Sequence, residues 1–453
     1  MDSRSTKASG DSCCAMTESQ KATGLAGITD ESTPMNPLKK YIGRPQGPDS
    51  LRSWFVATFA SLYMFFGWCA FSSTPVLYVA LMKTNPELMR ELASWPFTIM
   101  SCCSFAGSVV YGVLINYVPE QSLLFIGAIF ASGALFIASY FIHSVLILSL
   151  TLGIAHGFGL ACTTCIPSAV ISQHFIKHRA TAMSLISISA SLSGIIYPPL
   201  ATWLFELYSL SGLLLILSGI CLNQILSVIV CKAAVWKPAL QEAARLTTDN
   251  VTAKVNTINE SIGNKRYFCS GFLFNTCITN ALANFIMFAL ALITIDFEID
   301  CGINSTSAAY LVVVISFGWL VASSVIGPIV DRGENYDRYA IFSSCIIQLA
   351  GLLFMVSFKG AFWWQFLGCF LAGWGQGSRG FLLFVMVSKR YPPSQAPLVF
   401  ATMNVSCFLP FLLRTPLIGL IRDNLGEYDY LIHIFELINI LLAIDWFVMS
   451  IRK

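Results

Sequence analysis

Two arginines stand where the surrounding sequence offers them no water. Arg379 follows Gly373-Trp374-Gly375-Gln376-Gly377-Ser378 in the middle of a long apolar run, and Arg414 precedes Thr415-Pro416 in the next one. A guanidinium presents a planar fork that matches a carboxylate through two hydrogen bonds. At such depth an arginine must find water, an anion or a carboxylate. Both are candidate contacts for an anionic substrate; for Arg379 the alternative is an acid on a neighbouring segment that it merely positions. Pro416 frees backbone groups beside Arg414 and favours a polar pocket there. Three more titratable groups, His156, Glu436 and Asp445, lie in apolar runs and are candidates for a proton or charge relay. His156, set among Gly153, Gly157 and Gly159, also suits a helix–helix hydrogen bond. Glu436 and Asp445 are nine residues apart, about two and a half helical turns, so they face opposite sides and cannot share one site.

The elements that must carry these groups are set by composition. Hydrophobic residues make up 56% of the 453 and charged ones 11%, against about 45–50% and about 25% in a soluble domain. Lipid is therefore the solvent for most of the chain. A net charge of +3 with no dense basic run argues against nucleic acid as a partner. No His-Glu-x-x-His metal motif, no Gly-x-Ser-x-Gly nucleophile and no paired intramembrane aspartates occur, so neither an enzyme nor a bound cofactor or metal is expected. Most of the fifteen cysteines, such as Cys102, Cys103, Cys162, Cys165 and Cys345, sit in apolar runs and read as small buried hydrophobes. Residues 1–50 are polar and Ser/Thr-rich, without the apolar core of a cleavable signal, and read as a disordered cytosolic tail.

About 20 apolar residues span a bilayer, and by that ruler the chain holds twelve crossings. Six run over 54–80, 95–117, 121–142, 145–172, 180–206 and 209–231; six more over 268–295, 308–330, 339–358, 361–387, 397–421 and 430–450. Between them lies a polar bridge, Lys232–Arg266, too hydrophilic to cross. The expected architecture is all-α: tail 1–50, six-helix bundle 51–231, cytosolic linker 232–266, six-helix bundle 267–450 and a short cytosolic end 451–453. In the first span Ser72, Ser73 and Thr74 precede Pro75, which predicts a bent helix facing a cavity or one packed through small residues. Gly107, Gly112 and Asn116 after the second span are echoed half a chain later by Gly327, Pro328, Asp331 and Arg332, an internal repeat. Lys177, Arg179, Lys232, Arg266, Arg332 and Lys389 fall on one side of this topology, whereas Lys83, Arg90, Lys359 and Arg422 fall on the other. That bias places the linker and both termini in the cytosol. The acidic stretch Asp296–Thr306 then reads as an extracellular loop, with Asn304-Ser305-Thr306 a candidate glycosylation site.

Three stretches carry a family likeness. Pro48-Asp49 ahead of Trp54, the segment Phe175-Ile176-Lys177-His178-Arg179-Ala180-Thr181-Ala182, and the run from Pro416-Leu417-Ile418-Gly419 through Asp423 to Gly426-Glu427-Tyr428 occur in order. Together they resemble the monocarboxylate transporter (solute carrier 16) family of the major facilitator superfamily. The resemblance implies two bundles rocking in alternating access in the plasma membrane, a small organic anion as substrate, H+ as a co-substrate, and a single-span ancillary glycoprotein as partner. It also marks Asn116, Asp331, Arg332, Lys177, Arg179 and Asp423 as gating-loop positions. This sequence departs from the family where mechanism is concerned. The proton-coupled members carry a lysine in helix one and an Asp and Arg in helix eight; alignment puts Ser72, Trp319 and Ser323 there, as candidate substrate contacts. Proton symport and facilitated diffusion both stay open, as do amino acids or aromatic acids as cargo. A non-transporting sensor or scaffold on the same fold is the reading from a different class.

Overall fold

A backbone that crosses lipid has to satisfy its own hydrogen bonds, and this chain does so with helices; among the described residues there is no strand. The structure is a computed structural model and describes residues 47–232, 234, 236, 271–333, 336–391, 395–425 and 427–451. The expected tail, nearly all of the linker and its expected amphipathic stretch 238–245 lie outside the described residues.

Helix α1 is one run in three pieces, Leu51–Gly67, Cys69–Ser72 and Thr74–Thr84, interrupted at Trp68 and Ser73. Pro75 lies in the first turn of the third piece, where its missing N–H leaves no bond unmade. Then come α2 (Arg90–Leu114) and α3 (Glu120–Ala138). Helix α4 joins Val145–Leu148, a π-helical Ser149–His156 and Gly157–His174. The run Arg179–Leu222 is really two helices divided at Ser209, whose φ of 61° is not helical. We call them α5 (179–208) and α6 (210–230), the latter finished by Gln224–Val230. The second half holds α7 (Gly271–Asp300), α8 (Ser305–Val330), α9 (Tyr336–Ser357), α10 (Phe362–Arg390), α11 (Ala396–Val405 with Phe408–Leu425) and α12 (Asp429–Ile451).

By length and composition nine of the described helices suffice to cross a membrane, and one of these is the divided run Arg179–Val230. The broken α1 and the arginine-bearing α10 complete the set of twelve crossings. One boundary expectation needs correction. Asp296–Thr306 is not all loop: α7 continues to Asp300 and Glu298 is fully buried, because Phe297 and Ile303 also pack inward and carry the last turn with them.

Successive crossings alternate in direction, so the ends of α2, α4, α6, α8, α10 and α12 share one face with the starts of α1, α5, α7 and α11. We call it the linker face. The linker's first described residues are already docked there. Trp236 donates its indole N–H to Gln173 O at 3.1 Å and lies edge-on to His174, whose Nε2 is 3.0 Å from Lys232 O.

Candidate functional site at the bundle interface

Where the two bundles meet at mid-membrane, the contact is made by aromatic rings. Phe71 and Trp68 of α1 meet Phe288 of α7 at centroid distances of 5.2 and 6.5 Å. Trp68 also stands edge-on to Trp319 of α8 at 6.3 Å. On the other flank, Phe105 of α2 meets Phe411 of α11 at 4.7 Å, and Phe411 meets Phe288 at 5.4 Å. Trp68 sits at the first break of α1, which aims its ring toward the partner bundle.

Arg414 lies on this interface. It is 8% exposed, with Cζ 5.1 Å from the centre of the Phe411 ring and Cys102 of α2 within electrostatic reach. Its guanidinium has no hydrogen-bond acceptor among the described residues, and Nε is buried without one. The indole Nε1 of Trp68 is likewise buried and unpartnered. Nearby on α7 and α10, Gln376 donates to Asn284 Oδ1 at 3.3 Å and leaves its own Oε1 unpartnered.

Arg379 is elsewhere. It is fully buried and points away from the other bundle, between α9 and α12. Nη1 donates to Asn439 Oδ1 at 3.1 Å and lies 3.4 Å from Cys345 Sγ, while Nη2 donates to Gln348 Oε1. Its described partners are neutral amides rather than an acid. Glu436, one turn from Asn439, instead bonds His433 Nδ1 at 2.8 Å on its own helix. Asp445 is exposed on the outer surface of α12 and joins neither arginine. His156 is fully buried inside the first bundle, its Nδ1 2.9 Å from Ala131 O of α3, and does not reach the interface.

The positions aligned with the family's charged groups form an uncharged network. Trp319 Nε1 donates to Ser187 Oγ at 2.7 Å, Ser187 and Ser323 share a bond at 2.8 Å, and Ser323 donates to Gly377 O at 3.2 Å. It ties α5 of one bundle to α8 and α10 of the other. Ser72 bonds Ser193 of α5 at 2.7 Å, within its own bundle.

On the linker face the bundles are bonded shut. The Asp331 carboxylate, at the end of α8, accepts from Ala180 N at 2.9 Å, Thr181 N at 2.8 Å and Thr181 Oγ1 at 2.6 Å. It caps the N-terminus of α5, where unpaired N–H groups and the helix dipole favour an anion. Beside it, Arg179 Nη1 donates to Ser388 O of α10 at 2.6 Å. Asp49 receives the backbone N–H groups of Ile176, Lys177 and His178 at 3.0–3.2 Å, fixing the α4–α5 turn that presents Arg179. The repeat-related contact joins α2 to α11: a Cβ on Gly112 would meet Ala401 Cβ at 2.6 Å, as one on Gly327 would meet Ser184 Oγ at 2.7 Å. The repeat is unequal in charge, however. Asn116 and Arg332 are exposed, and the Lys177 side chain is exposed as well. Asn304 is exposed and caps α8 through its Oδ1, accepting from Ser307 N at 2.7 Å. The side chain of Asp423 lies outside the described residues.

The residues that sequence reasoning passed over are Trp68, Phe288 and Phe411, along with Glu298, both of whose carboxylate oxygens are buried without a partner. Trp68 carried a signal, an indole directly after Gly67 where α1 breaks. Nothing in the sequence distinguishes Phe288 and Phe411 from the other phenylalanines of apolar helices.

Comparison with known proteins gives a consistent set of similarities. The Major Facilitator Superfamily pattern matches residues 50–413. Monocarboxylate transporter 2 of Meriones unguiculatus is 23% identical over 400 residues, covering 85% of this chain and 81% of its own. Monocarboxylate transporter 1 of Bos taurus is 23% identical over 423 residues, covering 86% and 83%. Among solved structures, the proton:xylose symporter XylE bound to 6-bromo-6-deoxy-D-glucose superposes with a TM-score of 0.70 at 13% identity, over 92% of this chain and 97% of that one. The transporter FucP in its outward conformation does so at 0.66 and 14% identity, over 88% and 98%.

Proposed function

This chain belongs to the Major Facilitator Superfamily and is a multi-pass membrane transporter, and from that premise we propose that it moves a small organic monocarboxylate by alternating access, with Arg414 holding the carboxylate. The observation that carries the proposal is Arg414 itself: a guanidinium nine-tenths buried at the bundle interface, with no acceptor among the described residues. A buried donor left unmade costs about 1–3 kcal/mol, more when charged, and a carboxylate entering between the bundles would remove that penalty. The names of the relatives, monocarboxylate transporters 1 and 2, support the same class of cargo. Arg379, already engaged by Asn439 and Gln348, positions α10 rather than touching substrate.

Transport in this proposal is facilitative. Ser72, Trp319 and Ser323 do not titrate near neutral pH, and each is already hydrogen-bonded within the protein. Liposomes containing the purified protein are expected to take up lactate or a related monocarboxylate down its own gradient, with little response to an imposed proton gradient. Strong stimulation by inward protons would overturn the facilitative half. Failure to move any carboxylate would overturn the whole proposal. We place the linker face in the cytosol, on the strength of Lys177, Arg179 and Arg332 gathered there; a protease site inserted in the linker should be cut only from the cytosolic side.

A further inference from the structure

The ring contacts at the interface do more than fill space. Starting at Arg414, the guanidinium overlies Phe411, Phe411 touches Phe288, and Phe288 touches Trp68. Each step falls within the roughly 4.5–7 Å range in which aromatic rings attract one another. The path begins at an unpartnered cationic donor on α11 and ends at an unpartnered indole N–H on α1. Buried polar groups in native proteins are almost always hydrogen-bonded, so two orphans joined by one aromatic path need a common explanation. Both lie where α1 and α11 of opposite bundles approach, the surfaces that part and rejoin in an alternating-access cycle. Aliphatic packing would serve a permanent contact as well; rings with free edges and faces can admit another ring between them.

We propose that the transported anion is an aromatic monocarboxylate. Its carboxylate binds Arg414, its ring inserts among Phe411, Phe288 and Trp68, and an oxygen at its far end accepts from Trp68 Nε1. This rests on Arg414 being the anion-holding group. A three-carbon acid would satisfy the arginine but leave the ring faces and the indole N–H without a partner. The added ring gains apolar burial and aromatic contact together.

The test is competition for uptake into liposomes by the full-length protein, using 3-phenyllactate, lactate and the uncharged 2-phenylethanol. Phenyllactate is expected to compete at a concentration at least about tenfold lower than lactate, and phenylethanol not to compete. Phe288→Leu should shrink the phenyllactate preference several-fold while leaving lactate uptake measurable. Lactate equalling or surpassing phenyllactate in the unsubstituted protein would overturn the aromatic inference and leave the monocarboxylate reading standing. Transport of neither acid would overturn that reading, and this inference with it. Should Phe288→Leu fold poorly, the preference of the unsubstituted protein decides alone.

Discussion

At the scale of single residues, the two intramembrane arginines divide the labour of charge. Arg379 is enclosed by Gln348, Asn439 and Cys345, so its cation is stabilised by oriented amide dipoles and has nothing left to offer a ligand except its buried Nε. Arg379→Ala would leave two buried amide oxygens without their donor. Hydrogen bonds to charged groups contribute roughly 1.5–3 kcal/mol each, so the variant is expected to unfold at a clearly lower temperature in detergent, with uptake per folded molecule only modestly reduced. A thermal melt beside a transport assay checks this; unchanged stability with abolished uptake would reverse the roles assigned to Arg379 and Arg414. Arg414 shows the opposite pattern, with few contacts inside the protein and an interface position.

At the scale of elements, the ends of helices act as latches. Asp331 bonds three donors at the start of α5, whereas Asn116, its counterpart in the repeat, is exposed. Asp331→Asn keeps the shape but removes the charge that the helix terminus favours, a loss of roughly 1–2 kcal/mol. Opening of the linker face should then rise about tenfold, read as faster alkylation of a cysteine placed at Ser184, which is buried against Gly327 here. Asn116→Ala should leave that rate unchanged. Much of this level was legible in the sequence. Span positions follow from run length, and the paired Gly112 and Gly327 marked the repeat. The direction in which Arg379 points was not read, although a signal existed. Gly368, Ala372, Gly375 and Arg379 share one stripe of α10, and a Cβ at Gly375 would strike Gln348 and Ser344 of α9. Small residues at that spacing mark a face pressed against a neighbouring helix, so an arginine on the stripe points into the bundle. The aromatic interface could not be read, because in a helix apolar on every side periodicity does not tell a partner helix from lipid.

At the scale of the molecule, two bundles joined by a long linker are held together on the linker face and at mid-membrane, as a carrier paused between openings requires. Steric tests separate the moving interface from the rigid bundles. Gly112→Val should disturb only the approach of α2 to α11, since its Cβ would meet Ala401 and Pro397. The expected result is folded protein biased toward the linker-face-open form, seen as protease sensitivity confined to that face. Gly373→Val, by contrast, drives a side chain into Ile315 O within the second bundle and should lower the yield of folded protein. Indistinguishable yields from the two variants would contradict the division into rigid and moving contacts. The most direct test of the whole scheme is initial-rate uptake of a monocarboxylate by purified protein in liposomes, comparing the unsubstituted chain with Arg414→Gln at matched amounts of folded protein. Loss of one charge-assisted contact predicts uptake reduced roughly 10- to 100-fold with thermal stability nearly unchanged. Uptake by Arg414→Gln equal to that of the unsubstituted protein would show that the carboxylate is held elsewhere.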